Sequence, residues 1–392
     1  MKPLAKSPSA VTCALALAAL AALVAVPPAT SQTVQTAPSI NAGGRKPSPD
    51  KPFVAKEIAE FDTPWALAFL PDGRMLVTEK PGHVFLVTQE GRKTPIDGVP
   101  AVQAEGQNGL LDIAPAPGFR SNRSVYLSYV EPGAGGGTLV LARAKLTIAG
   151  ARGRLDNLAV LWRQTPAGGG GQPGGIIAFD PAGEHLFLTV GDRMRPASAQ
   201  NPDEARGKVL RLTLDGTIPA DNPEASAGGI RGETWTSGHR NPYGLAFAPD
   251  GTLWLDEMGP RGGDELNRIE PGLNYGWPLV SNGDNYSGTP IPRHATRPDL
   301  AAPALYWTPV IAPAGLAFYE AGLFPKWRGS AFIGGLAVTA LVRVTITSDG
   351  GADEAERWDM GARIRDVAVA PDGALWLIED ASPGRLLRLT PR

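Results

Sequence analysis

A single pattern recurs along this chain and restricts what it can fold into: an apolar run, a turn of the Pro-Asp-Gly kind, then a second apolar run. It reads WALAFLPDGRMLVTE (65–79), GLLDIAPAPGF with SVYLSYV (109–130) and IIAFDPAGEHLFLTVGD (176–192). It returns as GLAFAPDGTLWLDE (244–257), GLAFYEAGLF with SAFIGGL (315–336) and VAVAPDGALWLIED (367–380). The runs are short and rich in β-branched or aromatic residues, which suits strands, and the turn glycine supplies positive φ. Further strands such as VFLVT, KVLRLTL and RLLRLT follow the hairpins. Units of about 45–70 residues built from strands alone predict propeller blades, whose ring closure avoids long open edges. The expectation is therefore an all-β, six-bladed β-propeller over residues 53–392, with FVAKEIAEF (53–61) as the outer strand that closes the last blade. A β-sandwich is the competing architecture, but it gives no reason for six self-similar hairpins.

Composition supports the same class, since 48 Gly, 38 Pro and 9 Trp in 392 residues favour short strands joined by tight turns. A net charge of -2 and a pI near 6.1 leave no global basic field, which argues against nucleic acid as a partner. Any cationic site must be local.

Residues 1–31 carry Lys2 and Lys6, then the apolar run from Val11 to Val26, then small residues through Ser31. That order is expected of a cleavable secretory signal, too short on its own to favour a membrane span, and it predicts a periplasmic or secreted protein. The sole cysteine, Cys13, lies inside this segment, so the exported chain has no disulfide and relies on burial for stability. Residues 32–52 are polar and rich in Pro and Gly, and the expectation for them is a flexible leader.

Ligand chemistry concentrates between Ser237 and Pro278, where Arg240 and Asn241, a Met-Gly-Pro-Arg-Gly-Gly turn and the adjacent Asp264 and Glu265 follow short strands. Fixed loops over a rigid scaffold are where ligands are usually bound. The motifs GQNGLLD (106–112), TVGDR (189–193), SGHRNPYG (237–244), GPRGGDELN (259–267), NYGWP (274–278) and RIRDV (363–367) occur in this order along most of the chain. This set resembles the soluble aldose sugar and glucose dehydrogenases that use pyrroloquinoline quinone (PQQ) with calcium on a six-bladed propeller.

The resemblance implies oxidation of an aldose to a lactone, with an electron acceptor that the sequence does not identify and a monomer or homodimer as the assembly. PQQ carries three carboxylates, which call for guanidinium partners. By resemblance Arg240, Arg363 and Arg365 contact the cofactor with Asn241, and Gln107 lines the substrate side. Gly259 and Pro260 would give backbone carbonyls to the calcium that binds PQQ, a hard cation preferring oxygen. Asp264, Glu265 and Tyr275 match a second calcium region in some members. The plainer alternatives are an Arg240 that only bridges strands, Asp264 and Glu265 as solvated loop carboxylates, and His239 as a loop stabiliser.

Two departures from the family pattern bear on activity. The family removes the sugar hydroxyl proton with a histidine, whereas GGGGQPGGIIAFDP (168–181) places Gln172 there and Ile176 at an accompanying arginine position. A glutamine amide accepts no proton at neutral pH. Ala337 stands where a cofactor-binding lysine is expected. Asp192, which would orient the histidine, is then either the replacement base or a strand-end cap. Three functions follow: an altered PQQ- and calcium-dependent dehydrogenase, a catalytically weak propeller binding a sugar or small anion, and a calcium-dependent lactonase-like hydrolase. The arginines favour the first over the third, since a neutral lactone needs no tricarboxylate clamp.

Overall fold

The structure, a computed structural model, describes residues 38–133 and 135–392. The proposed signal segment and Cys13 lie outside the described residues. The described chain is all-β, interrupted only by short helical turns such as Phe119–Asn122 and Gly229–Glu233. The repeated turns form as their composition dictates. At Pro249-Asp250-Gly251, Gly251 has φ of 86°, and Asp250 accepts the Thr252 N–H at 2.9 Å, closing the hairpin Pro242–Phe247 with Leu253–Glu257.

Most sheets are antiparallel meanders. Four-stranded sheets contain Gly174–Phe179, Pro313–Phe318 and Ile364–Val369 as their first strands in chain order or at their edge, and Pro242–Phe247 edges a five-stranded sheet. An eight-stranded sheet joins the meanders that begin at Pro64–Phe69 and Leu110–Pro115, because Lys93–Asp97 pairs in parallel with Arg152–Arg163. These six inner strands touch in chain order, and Ile364–Val369 touches Pro64–Phe69, so they close a ring. The N-terminal strand Phe53–Phe61 runs antiparallel to Gly384–Pro391, which ties the two ends of the described chain into one sheet.

Neighbouring inner strands are joined by hydroxyls of the second strands. Thr78 accepts the Ala66 N–H at 3.0 Å and donates to the Leu111 carbonyl at 2.8 Å. Ser128 accepts from Asp112 N–H at 3.0 Å and donates to the Gly175 carbonyl. Thr189 accepts from Ile176 N–H at 2.9 Å and donates to Pro242 at 3.3 Å. Outside this ring, apolar side chains fill the wedges between sheets, with Trp254, Trp307 and Trp376 essentially buried. Met75 and Val77 of one end sheet pack with Trp376 and Ile378 of the other, so the closing wedge is as apolar as the rest.

The segment expected to be a flexible leader is held in its later part. Ile40–Asn41 adds a parallel strand to Leu305–Trp307. Arg357, buried and paired with buried Glu354 at 2.7 Å, donates to the carbonyls of Arg45 (2.6 Å) and Ala42 (3.1 Å), and Ser48 N–H donates to the Arg357 carbonyl. Polar composition concealed this because backbone groups and one arginine make the attachment. Arg357→Ala leaves Glu354 with the more distant Arg45 as its only guanidinium, at 3.5 Å, and breaking such a pair costs about 3–5 kcal/mol. Urea unfolding should show that loss, and amide exchange at residues 40–48 should accelerate.

Candidate active site

In a hairpin the start of the inner strand lies beside the end of the second strand, so the loops at these points gather at one mouth of the ring. Gln107, Gln172, Arg240 and Arg363 precede inner strands, Arg365 lies at the start of one, and Asp192 and Met258 follow second strands. Gln172 adopts φ of 54°, and a Cβ on Gly191 would lie 2.1 Å from its carbonyl oxygen, so the two loops meet only because Gly191 has no side chain.

Four of the expected residues form one continuous chain. Gln107 Oε1 accepts the Gln172 N–H at 2.6 Å. With its amide oriented to satisfy its neighbours, Gln172 donates to Asp192 Oδ1 at 2.5 Å and accepts from the Arg240 guanidinium at 2.8 Å. Asp192 is fully buried and also accepts from Met194 N–H and the Trp277 indole, both at 2.9 Å. Burial raises its pKa, against the lowering effect of the indole and Met194 bonds. Both oxygens are therefore engaged. To take a proton from a ligand, Asp192 would have to exchange one of these bonds.

Arg240 is the centre of the site. It donates to the carbonyls of Met258 (2.8 Å) and Gly259 (2.7 Å) and lies over the rings of Trp277 and Tyr286, at 5.4 and 5.8 Å. Its backbone N–H donates to Glu257 at 2.6 Å, which also binds His239 at 2.9 Å. His239 is buried, stacked on Tyr275 with centroids 4.9 Å apart, and so braces the loop. Asn241 sits beside the same turn, its carbonyl accepting from Met258 N–H at 3.1 Å. Arg363 and Arg365 form a second cluster, sharing Asp380 at 2.6 and 2.9 Å. Arg365 packs over Trp65 (4.3 Å) and Tyr243 (5.7 Å), and Tyr243 is the third residue after Arg240.

The residues matched to a second calcium region are each bonded within the protein, and Glu265 and Tyr275 line one small cavity beside Gly259. Asp264 accepts the N–H groups of Gly259 (2.8 Å), Ile311 and Ala312 (both 2.7 Å), which fixes the turn and ties it to the next sheet. Glu265 bonds His294 at 3.1 Å and Asn267 at 3.2 Å, while the Tyr275 hydroxyl bonds Arg268 and Glu270 backbone. Among the described residues no three His, Cys, Asp or Glu side chains are placed to hold a metal. Sequence reasoning did not assign roles to Trp277, Tyr286 or Arg193. The first and last lie within the motifs NYGWP and TVGDR, which offered a signal; Tyr286 offered none. Arg193, wholly buried, donates to Asn108 (2.9 Å), Gly137 (2.7 Å) and Gly171 (3.3 Å), and so fixes the loop that carries Gln172.

A closed ring of inner strands thus carries guanidinium groups laid over aromatic faces. The chain belongs to the family described as Glucose / Sorbosone dehydrogenase, whose model matches residues 61–388. It is 41% identical over 349 residues to aldose sugar dehydrogenase YliI of Escherichia coli K12, covering 85% of this chain and 91% of that one. A crystal structure of a glucose dehydrogenase superposes with a TM-score of 0.81 at 45% identity, over 86% of this chain and 99% of that one. The PQQ-bound aldose sugar dehydrogenase of Streptomyces coelicolor superposes with a TM-score of 0.70 at 29% identity, over 88% of this chain and all of the other.

Burial pushes the pKa of Asp264 up to about 7, against three N–H bonds that lower it. Between about pH 4 and pH 7 the native carboxyl holds a proton that the unfolded chain, with its carboxyl near 3.8, has released. The native state thus binds more protons in this window, and stability falls as pH rises through it. Urea midpoints at pH 5 and pH 7.5 should show a steeper decline for wild type than for Asp264→Asn, which has no proton to lose.

Proposed function

We propose that this chain is an exported oxidoreductase that binds PQQ at the mouth of a six-bladed propeller and oxidises aldoses to lactones. The observation that carries the reading is the unbroken chain Gln107, Gln172, Asp192 and Arg240, built from motifs far apart in sequence. The PQQ-bound state of a relative and the sugar-dehydrogenase names of others support the ligand and the substrate class. The closed cycle of six inner strands supports the blade count.

The donor set suits the cofactor. Arg240, with Arg363 and Arg365, would pair with its carboxylates, while Trp277, Tyr286, Trp65 and Tyr243 present flat faces beside those guanidinium groups. The turn at 258–263 also suits a hard cation. A Cβ on Gly259 would lie 2.3 and 2.4 Å from the carbonyl oxygens of Gly262 and Gly263, so carbonyls crowd a turn without side-chain bulk. Arg240 serves as the cation for Met258 and Gly259 here; calcium at Gly259 and Pro260 would take over that role and free Arg240 for a carboxylate.

PQQ, when bound, supplies an ortho-quinone that accepts the hydride from the sugar. The protein's task is to orient the sugar and receive its hydroxyl proton. Gln172 cannot accept a proton at neutral pH, and both oxygens of Asp192 are already bonded, so proton transfer is the weak step of this reading. That arrangement favours, as a second reading, a slow or decayed enzyme that still binds its cofactor.

Titration of chelator-treated protein with PQQ, with and without calcium, should change the cofactor spectrum. Arg240→Ala should weaken binding at least about tenfold, since charge-assisted bonds contribute roughly 1.5–3 kcal/mol each. No spectral change in any condition overturns the reading. Gln172→His should raise aldose oxidation at least about tenfold, because a missing general base typically costs about 10²–10⁴ in rate. A silent wild type rescued in this way identifies the decayed enzyme.

A further inference from the structure

Four rings lie beside the guanidinium groups at the mouth, and three of them are already covered by protein. Trp65 is 5% exposed, Tyr243 3% and Trp277 8%, whereas Tyr286 is 72% exposed, the most of any large apolar side chain among the described residues. The Tyr286 hydroxyl accepts from the Arg240 guanidinium at 3.4 Å, and its ring centroid lies 5.8 Å from that group. Both contacts are long, and the carbonyls of Met258 and Gly259 already hold Arg240 at 2.8 and 2.7 Å. Bracing Arg240 therefore does not account for the ring.

Tyr286 does not hang from a loose loop. Gly283–Asp284 pairs with Arg261–Gly262, part of the turn that also carries Gly259 and Pro260. Arg293 ties the base of the loop, donating to the carbonyls of Ser281 (3.2 Å) and Gly283 and to the Asp284 carboxylate (2.7 Å). Beyond it, Asn285 N–H donates to the Thr289 carbonyl at 3.0 Å, and Gly288 N–H donates to the Asn285 carbonyl at 2.8 Å, closing a tight turn around Tyr286. A ring fixed by so many bonds and yet left in water is a preorganised contact for a ligand.

Its surroundings share this exposure. Met194, whose N–H bonds Asp192, is 60% exposed. Leu279 is 42% exposed and follows by two residues the Trp277 whose indole bonds the same carboxylate. Three of the six exposed large apolar side chains among the described residues thus flank the chain of Gln172, Asp192 and Arg240.

Depth separates the two ligands of the proposed reaction. Trp277, Arg240 and Arg365 are buried and suit the cofactor, which stays. Tyr286 stands at the solvent edge, where the ligand that enters and leaves with each turnover is met, and that ligand is the sugar. A pyranose ring presents a face of C–H groups with hydroxyls around its edge, and tyrosine offers a matching apolar face with a polar tip. We propose that Tyr286 is the platform on which the aldose ring lies, with Met194 and Leu279 as an apolar rim, and that its main effect falls on sugar affinity. This inference rests on the aldose-oxidising reading above.

The test is a binding titration: saturation-transfer NMR of D-glucose with full-length protein loaded with calcium and PQQ, and with no electron acceptor, so that reaction stops after one round. Tyr286→Ala should bind glucose at least about tenfold more weakly, through loss of the aromatic contact and the area beneath it. Tyr286→Phe keeps the ring and loses the bond to Arg240, and should bind within about twofold of wild type. Both variants should keep the wild-type melting temperature, because the ring is exposed, and a PQQ affinity within about threefold in the spectral titration. Tyr286→Ala that binds glucose as wild type does overturns the proposal. So does a parallel loss of glucose and PQQ in that variant, which makes the ring a brace for Arg240. Wild type that binds PQQ but no glucose overturns the platform and leaves the cofactor reading standing. Wild type with no PQQ response fails the cofactor reading itself, and the platform falls with it.

Discussion

The fold rests on how neighbouring inner strands satisfy each other's backbone without forming a common ladder. Thr78, Ser128 and Thr189 each accept an N–H from their own inner strand and donate to a carbonyl of the next. Asp112 and Asp366 carry N–H groups across other gaps, and Asp264 does so nearer the mouth. Leaving such groups unpaired in a buried ring would cost about 1–3 kcal/mol each. The relays also fix the angular position of each sheet, and with it the loops at the mouth.

At that mouth the dominant charge is Arg240. It is braced by backbone carbonyls on one side and by Gln172 on the other, and its own main chain is held by Glu257. Of these, the bonds through Glu257 and Gln172 hold its main chain and one face before a ligand arrives, which reduces the entropy lost on binding. The same organisation engages both oxygens of Asp192, one of them with the Gln172 amide. The altered residue and the expected base are thus one structural unit, and changing Gln172 changes both.

Much of the fold was legible because a hairpin is a local object. Residues 244–257 contain the apolar alternation, the turn glycine and the aspartate that closes the turn, and nothing distant is needed to form them. The strand at 53–61 could be assigned by the need to cover an edge. The segment at 40–48 could not, because its anchors, Arg357 and the strand at Leu305–Trp307, lie some 260 or more positions away and leave no mark on its composition. At the site, Arg240, Gln172 and Asp192 were legible as motif positions. The pairing of Arg363 and Arg365 with one carboxylate, and the full occupancy of Asp264, were not.

The sequence by itself determined the repeating strand unit, the end of each unit at which charged residues collect, and the chemical type of each candidate. These depend on residues a few positions apart, whose interactions the chain makes whatever surrounds them. Only the tertiary structure decided which charges are spoken for. Asp264 is consumed by three N–H groups, whereas Asp256, equally buried and only eight residues earlier, has none. Whether a carboxylate is a clamp or is left without a partner depends on which strands meet beside it when the ring closes, and ring closure is a property of the whole chain.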